Sequence, residues 1–196
     1  MAGFVDIHVH GGGDSDFMDE DASAFPTIAK AHCAHGTTAL CPTTMTCADS
    51  LLEKTIDLFL EADKEPENGA ELLGLHLEGL YFSAASKGAQ PIGEQRIPER
   101  EDLERILRRA KGSILRWDAA PELPNMELFA RVMAENGVLA SLAHSAATAP
   151  EALRAFDWGF SHVTHFYNAC TTFHKKNGLV YSGIVEATYL RDDVTI

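Results

Sequence analysis

The sequence alternates between short runs rich in β-formers and longer stretches of helical periodicity. The strand-like runs are Phe4 to His10, Thr37 to Cys41, Leu72 to Glu78, Ile114 to Ala119, Val138 to His144 and Ser161 to Phe166. This alternation is typical of βα units around a parallel sheet. About six such units in this length of chain is close to the number of βα units per residue in an eight-stranded barrel. We therefore expect an α/β fold of the (β/α)8 TIM-type barrel kind, incomplete here, with a complete open α/β domain as the alternative.

Helix signals separate the strands. Between Glu99 and Lys111 the apolar residues recur at the spacing of one buried helical face, and Asn125 to Asn136 has a similar pattern. Ser50, with a glutamate three residues later, and Thr148, likewise followed by a glutamate, have the spacing of capping boxes and predict two helix starts. Asp192 to Ile196 resembles the opening of another strand, so we expect that the chain is truncated.

Composition excludes some functions. A hydrophobic fraction of 45% supports a buried core, and a formal net charge of −13 argues against nucleic-acid binding. The four cysteines form no CxxC pair, which favours a reducing compartment, and we expect the cytoplasm. No apolar run approaches the roughly 20 residues needed to cross a bilayer, so we expect no membrane association.

A pair of histidines ends the first strand-like run. His8 and His10 are two residues apart, and because side chains alternate across a strand they project from the same side. They can therefore share one metal ion, although a pair of solvated histidines is an equally ordinary interpretation of an isolated motif.

Three later runs also finish with potential ligands. Glu78, His144 and His165 each lie at the predicted end of a strand, and in a (β/α) barrel these ends converge on one face. One carboxylate and two imidazoles suit Zn²⁺ or Fe²⁺ with a position left for water. His76 is either a supporting partner of this site or a packed core residue.

Together these motifs resemble a known family. Their order is similar to that of N-acetylglucosamine-6-phosphate deacetylases of the amidohydrolase superfamily. The segments that carry the resemblance are Gly3 to Gly11, His35 to Thr38 with Pro42-Thr43, His76 to Gly79, Lys87 to Ala89, Ala120 to Glu122, His144-Ser145 and Thr164 to Ala169.

The resemblance implies roles for individual residues. It implies that Glu78, His144 and His165 bind the main catalytic metal, and that His8 and His10 complete a second metal position used by some members. The reaction implied is metal-dependent release of acetate from N-acetylglucosamine 6-phosphate, with glucosamine 6-phosphate as the other product of this amino-sugar catabolism.

The resemblance also implies a sugar-phosphate pocket. Ala89, Asn168 and Ala169 would line it, and Lys176 would supply the cation for the phosphate. Arginine is usual in the family where Lys176 stands, and lysine offers a point charge rather than a bidentate fork. The sequence departs again at Gln90, commonly histidine, and Leu80, commonly proline, so the exact substrate is less constrained than the chemistry.

One catalytic residue of the family has no counterpart in this sequence. Family members carry a catalytic aspartate on the last barrel strand, and no residue of this chain aligns with it. We therefore expect residues 1–196 to form a partial metal-dependent amidohydrolase barrel domain that is inactive alone. The resemblance further implies a homodimer.

Three other functions are consistent with the sequence. A cyclic amidase would keep the metal centre, but such relatives bridge two metals with a carboxylated lysine on the fourth strand, and Ile114 to Ala119 contains no lysine. The second alternative is an amidohydrolase that acts on a different N-acyl sugar. A non-catalytic scaffold would leave the histidines structural and would bind no metal.

Overall fold

The computed structural model describes residues 3–91, 93 and 95–196, with the backbone but not the side chain of Lys176. Its strands are β1 (Phe4–Val9), β2 (Gly11–Gly12), β3 (Ser15–Asp16), β4 (Thr37–Pro42), β5 (Glu71–Leu72), β6 (Leu75–Tyr81), β7 (Ile114–Ala119), β8 (Leu139–Leu142), β9 (His162–Val163), β10 (His174–Lys176) and β11 (Leu179–Tyr181). Its helices are α1 (Ala24–Cys33), α2 (Asp49–Glu61), α3 (Arg100–Ala110), α4 (Met126–Glu135), α5 (Ala149–Trp158) and α6 (Ile184–Thr188), with a 3₁₀ turn at Ala84–Ser86.

The chain forms two compact units. The first contains Met1–Glu78 and Ile106–Leu115, and the second contains Gly79–Arg105 and Arg116–Ile196. One sheet has the order β1-β4-β5 with parallel neighbours, and another has the order β6-β7-β8-β9, in which β7, β8 and β9 are parallel. The expected α/β architecture with parallel sheets is confirmed.

Aromatic residues fill the core of each unit. In the first unit Phe25 packs against Phe17 and Phe59, with ring centroids 5.2 and 6.1 Å away. In the second unit Trp117 is fully buried, and its ring lies 5.7 Å from Tyr81 and 5.9 Å from Phe129. Each core is therefore anchored by large aromatic side chains, most of them on strands and helices.

Two short antiparallel hairpins were not predicted. β2 pairs with β3, and β10 pairs with β11. Asn177 and Gly178 form the turn of the second hairpin with φ values of 52° and 79°, the left-handed conformation that an Asn-Gly pair adopts readily. The dipeptide was a usable hairpin signal in the sequence.

Both predicted helix starts are confirmed to within two residues, but the two predicted capping boxes had different outcomes. The capping box at Thr148 is present, with the backbone N–H of Thr148 donating to Glu151 at 2.7 Å. The one predicted at Ser50 is wrong, because α2 begins at Asp49 after Ala48 and Ser50 lies inside the first turn. The N-cap is Ala48, two residues before Ser50, so the Ser50 hydroxyl is not placed to cap the helix.

We expect Thr148→Ala to lower the free energy of unfolding by about 1 kcal/mol, because it removes a side-chain cap from α5. Ser50→Ala is the matched control and should change stability by less than about 0.5 kcal/mol, since Ser50 is exposed and caps nothing. Urea titration of both variants measures the difference, and equal effects would contradict this assignment of the cap.

None of the helices formed by the described residues has the length and apolar character needed to cross a bilayer.

Candidate metal centre

Glu78 lies within a strand rather than at its end. β6 continues for three residues beyond it, to Tyr81, and every residue of the strand is buried. The sequence placed the end of this strand at Glu78, which is wrong. Because Gly79 follows with φ 131°, the strand bends directly after the carboxylate without losing its continuity.

In the first unit three side chains converge on one point. The Oε2 atom of Glu78 lies 3.0 Å from Nε2 of His10 and 3.4 Å from Nε2 of His8, and the two Nε2 atoms are 3.2 Å apart. Glu78 is 2% exposed, whereas the two imidazoles are partly open to solvent. A buried carboxylate therefore faces two imidazole nitrogens that are accessible from one side.

This triangle fits a divalent cation. Ligands about 2.1 Å from a tetrahedral metal ion lie about 3.4 Å from one another, close to the three separations here. The donor set, two imidazole nitrogens and one carboxylate oxygen, is one that Zn²⁺ and Fe²⁺ accept. Without a cation, the two imidazoles and the carboxylate can lie this close together only if hydrogen bonds link them.

His10 is oriented by the backbone. Its Nδ1 donates to the carbonyl oxygen of Thr43 at 3.2 Å, which leaves Nε2 turned toward Glu78. The hydrogen bond to Glu78 raises the pKa of His10 above its ordinary value of 6.5, against an opposing effect of burial. A protonated Nε2 cannot bind a metal, so protons and metal compete at this atom.

Thr43 is a supporting residue to which the sequence assigned no individual role. Its Oγ1 accepts from the backbone N–H of Val9 at 3.0 Å and lies 3.2 Å from Nδ1 of His76. His76 is buried, and its ring meets that of His8 edge-on with centroids 4.8 Å apart. Of the two interpretations of His76, contact with a proposed ligand favours a supporting partner.

In the second unit His144 and His165 are neighbours. Their ring centroids are 4.9 Å apart and nearly perpendicular. His144 is buried against Phe82, and its Nδ1 donates to the carbonyl oxygen of Ser86 at 3.0 Å. This hydrogen bond fixes the tautomer in which Nε2 carries the lone pair, the usual arrangement for a metal-binding histidine.

Both histidines have strained backbones. The φ angle is 46° at His144 and 56° at His165, a left-handed conformation that costs a non-glycine residue about 1–3 kcal/mol. Each follows the end of its strand by two residues, β8 for His144 and β9 for His165. Strain of this kind persists only where surrounding contacts hold it, and it is common at functional sites.

Two loops of the second unit surround these histidines. A Cβ atom on Gly88 would lie 3.3 Å from the ring of His144, so the loop that carries the exposed Ala89 packs against this ligand candidate. Asn168 and Ala169 both donate backbone N–H groups to the carbonyl oxygen of His165, at 2.8 and 3.1 Å. The residues expected to line a pocket are therefore on loops tied to the histidines.

Gln90 and Leu80, two of the three departures from the family pattern, are both buried. Gln90 is 2% exposed, and Leu80 is 3% exposed with φ 75°. A proline ring fixes φ near −65°, so the backbone at Leu80 has a conformation that proline cannot adopt. The side chain of Lys176 lies outside the described part of the chain, and its role stays a prediction.

The chain is similar to known deacetylases. The chain is 30% identical to an N-acetylglucosamine-6-phosphate deacetylase of Lysinibacillus sphaericus, over 100% of this chain and 51% of the relative. It is also 30% identical to an N-acetylgalactosamine-6-phosphate deacetylase of Escherichia coli O157:H7, over 93% and 49%. The crystal structure of N-acetylglucosamine-6-phosphate deacetylase from Pasteurella multocida matches with a TM-score of 0.87 and 29% identity, over 99% and 50% of the two chains.

The chain spans about half the length of the curated relatives it matches. A family model described as "Amidohydrolase family" matches residues 1–192. With this match over nearly every residue, and with deacetylases among its relatives, the chain belongs to the amidohydrolase family.

Proposed function

We propose that the protein containing this chain hydrolyses the N-acetyl group of N-acetylglucosamine 6-phosphate, giving glucosamine 6-phosphate and acetate. The observation that carries the proposal is the convergence of the buried Glu78 carboxylate with the Nε2 atoms of His8 and His10. The names of the relatives, deacetylases of amino-sugar phosphates, supply the substrate class.

The proposed ligands are those that the sequence indicated. Glu78, His144 and His165 bind the main metal, and His8 and His10 serve a second position, with Zn²⁺ or Fe²⁺ as the ion. A divalent cation held there is a Lewis acid that polarises an amide carbonyl and makes water a usable nucleophile near neutral pH. The protein's own contribution is orientation: backbone carbonyls hold Nδ1 of His10 and of His144, so that each Nε2 is available.

Substrate positioning is assigned to the surrounding loops. We propose that Ala89, Asn168 and Ala169 contact the amino sugar and that Lys176 binds its phosphate. Proton transfer from water to the leaving amine is assigned to a carboxylate beyond residue 196, so residues 1–196 alone are expected to be inactive. The proposal includes a complete (β/α)8 barrel, a homodimer and a cytoplasmic location for the whole protein.

The choice of sugar is open to a direct test, because relatives named for two epimers are each 30% identical to the chain. We expect the protein expressed from its complete reading frame to release acetate from N-acetylglucosamine 6-phosphate in the presence of Zn²⁺ or Fe²⁺. A coupled acetate assay compares this substrate with N-acetylgalactosamine 6-phosphate, with unphosphorylated N-acetylglucosamine and with a cyclic amide.

Each result has a definite meaning. A kcat/KM at least about tenfold higher for the glucose epimer, equivalent to about 1.4 kcal/mol, supports the proposal as written. Preference for the galactose epimer would replace the substrate and keep the reaction. Turnover of the cyclic amide alone, or metal binding without acetate release from any of the sugars, would overturn the deacetylase proposal.

A further inference from the structure

The carboxylate of Glu122 holds the backbone immediately after His144. Its Oε2 accepts from the hydroxyl of Ser145 at 2.6 Å, and its Oε1 accepts from the backbone N–H of Ala146 at 2.7 Å. Both distances are short, as expected when the acceptor is ionised. The Glu122 carboxylate therefore hydrogen-bonds both residues that follow the proposed metal ligand His144.

The same turn is fixed from its other side. The backbone N–H of Ser145 donates to the carbonyl oxygen of Ala169 at 3.0 Å, and the Ser145 hydroxyl accepts from the N–H of Ala147 at 3.0 Å. Ser145 is fully buried. With its neighbours held in this way, the backbone at His144 cannot rotate out of its left-handed conformation without breaking several hydrogen bonds.

We infer that Glu122 is a positioning residue for His144, holding the imidazole where its Nε2 can bind metal. The inference rests on the metal-binding role proposed for His144, and it adds a residue to which neither the composition nor the strand pattern gave a role. Glu122 acts through the hydroxyl of Ser145 and the backbone N–H of Ala146.

The geometry explains why a charged residue serves here. His144 must keep an unfavourable φ of 46° while its Nδ1 stays on the carbonyl of Ser86. Bonds to a carboxylate are stronger than bonds between neutral groups. Weakening them lets the backbone of the turn relax toward ordinary φ values, which carries the imidazole away from Ser86 and misdirects Nε2.

The test is Glu122→Gln, which keeps the shape of the side chain but removes its charge and one of its two acceptors. The complete protein is stripped of metal, and its Zn²⁺ affinity is measured by competition with a chromophoric chelator. We expect the dissociation constant to rise about 10- to 100-fold, the range found when residues that support metal ligands are replaced.

Glu151→Gln is the matched control. Glu151 lies in the same unit and likewise accepts from one backbone N–H and one hydroxyl, both of Thr148 and both at 2.7 Å. Its bonds cap a helix rather than hold a ligand, so its loss should lower the melting temperature without changing Zn²⁺ affinity. Equal affinities for Glu122→Gln and wild type, or equal losses in both variants, would overturn the inference.

A second readout needs no metal. In metal-free, ¹⁵N-histidine-labelled protein, the Nδ1–H of His144 should give a protected signal, assigned by its absence from His144→Asn. We expect Glu122→Gln to lose this signal and Glu151→Gln to keep it. If wild type binds no Zn²⁺, the proposed function fails, yet loss of the signal still upholds positioning by Glu122, and its persistence overturns it.

Discussion

Glu78→Gln is expected to lower kcat/KM for N-acetylglucosamine 6-phosphate by about a thousandfold or more, equivalent to about 4 kcal/mol of transition-state stabilisation. Glutamine preserves the volume of this buried side chain but removes the anion that faces His8 and His10. An uncharged amide is a poor ligand for Zn²⁺ or Fe²⁺, so we expect the variant to lose metal as well as activity.

Metal content and turnover are measured together on the complete protein, by mass spectrometry of the metal and by acetate release. Glu71→Gln is the control, because Glu71 is an exposed carboxylate on a strand of the same unit. It should retain wild-type metal content and rate. A Glu78→Gln protein that kept both would remove Glu78 from the ligand set and, with it, the observation on which the proposed function depends.

Trp117→Ala is expected to destabilise the protein by about 3–5 kcal/mol, the range for truncating a large buried aromatic residue. Trp117 is fully buried among Tyr81 and Phe129, and its Nε1 donates to the carbonyl oxygen of Gly79 at 3.1 Å. The variant would leave a cavity and remove the donor from a buried carbonyl group.

Chemical denaturation followed by circular dichroism measures this effect. Trp158→Ala is the matched control, since Trp158 is only partly buried and lines an open surface cleft. It should cost less than about 1.5 kcal/mol. Similar losses for the two tryptophans would show that Trp117 does not anchor the core of its unit.

The strand pattern predicted much of the fold because buried parallel strands are apolar runs whatever surrounds them. β1, β4, β7 and α3 lie within two residues of their predicted bounds. The run ending at Glu78 was misjudged because Gly79, Leu80 and Tyr81 continue the strand through a left-handed bend. A carboxylate suggested a strand end, whereas its burial depends on the strand continuing past it.

The supporting contacts could not be predicted from the sequence. Nothing local indicates that Thr43 holds His10, that Ser86 holds His144 or that Glu122 holds Ser145, because each bond joins residues at least 23 positions apart. The ligand types were readable from strand spacing, but the tautomers and the backbone strain depend on tertiary contacts. Burial and hydrogen bonding determine the tautomers and the strained backbone, and neither can be inferred from a single position in the sequence.

The left-handed backbone at His144 and His165 limits how these positions can drift in evolution. Among the amino acids, glycine, asparagine and aspartate adopt this conformation at least cost, whereas valine and isoleucine adopt it at high cost. A descendant lineage that abandons metal would be expected to acquire asparagine or glycine there rather than an aliphatic residue. The shape of the turn would then outlast the chemistry that it now accommodates.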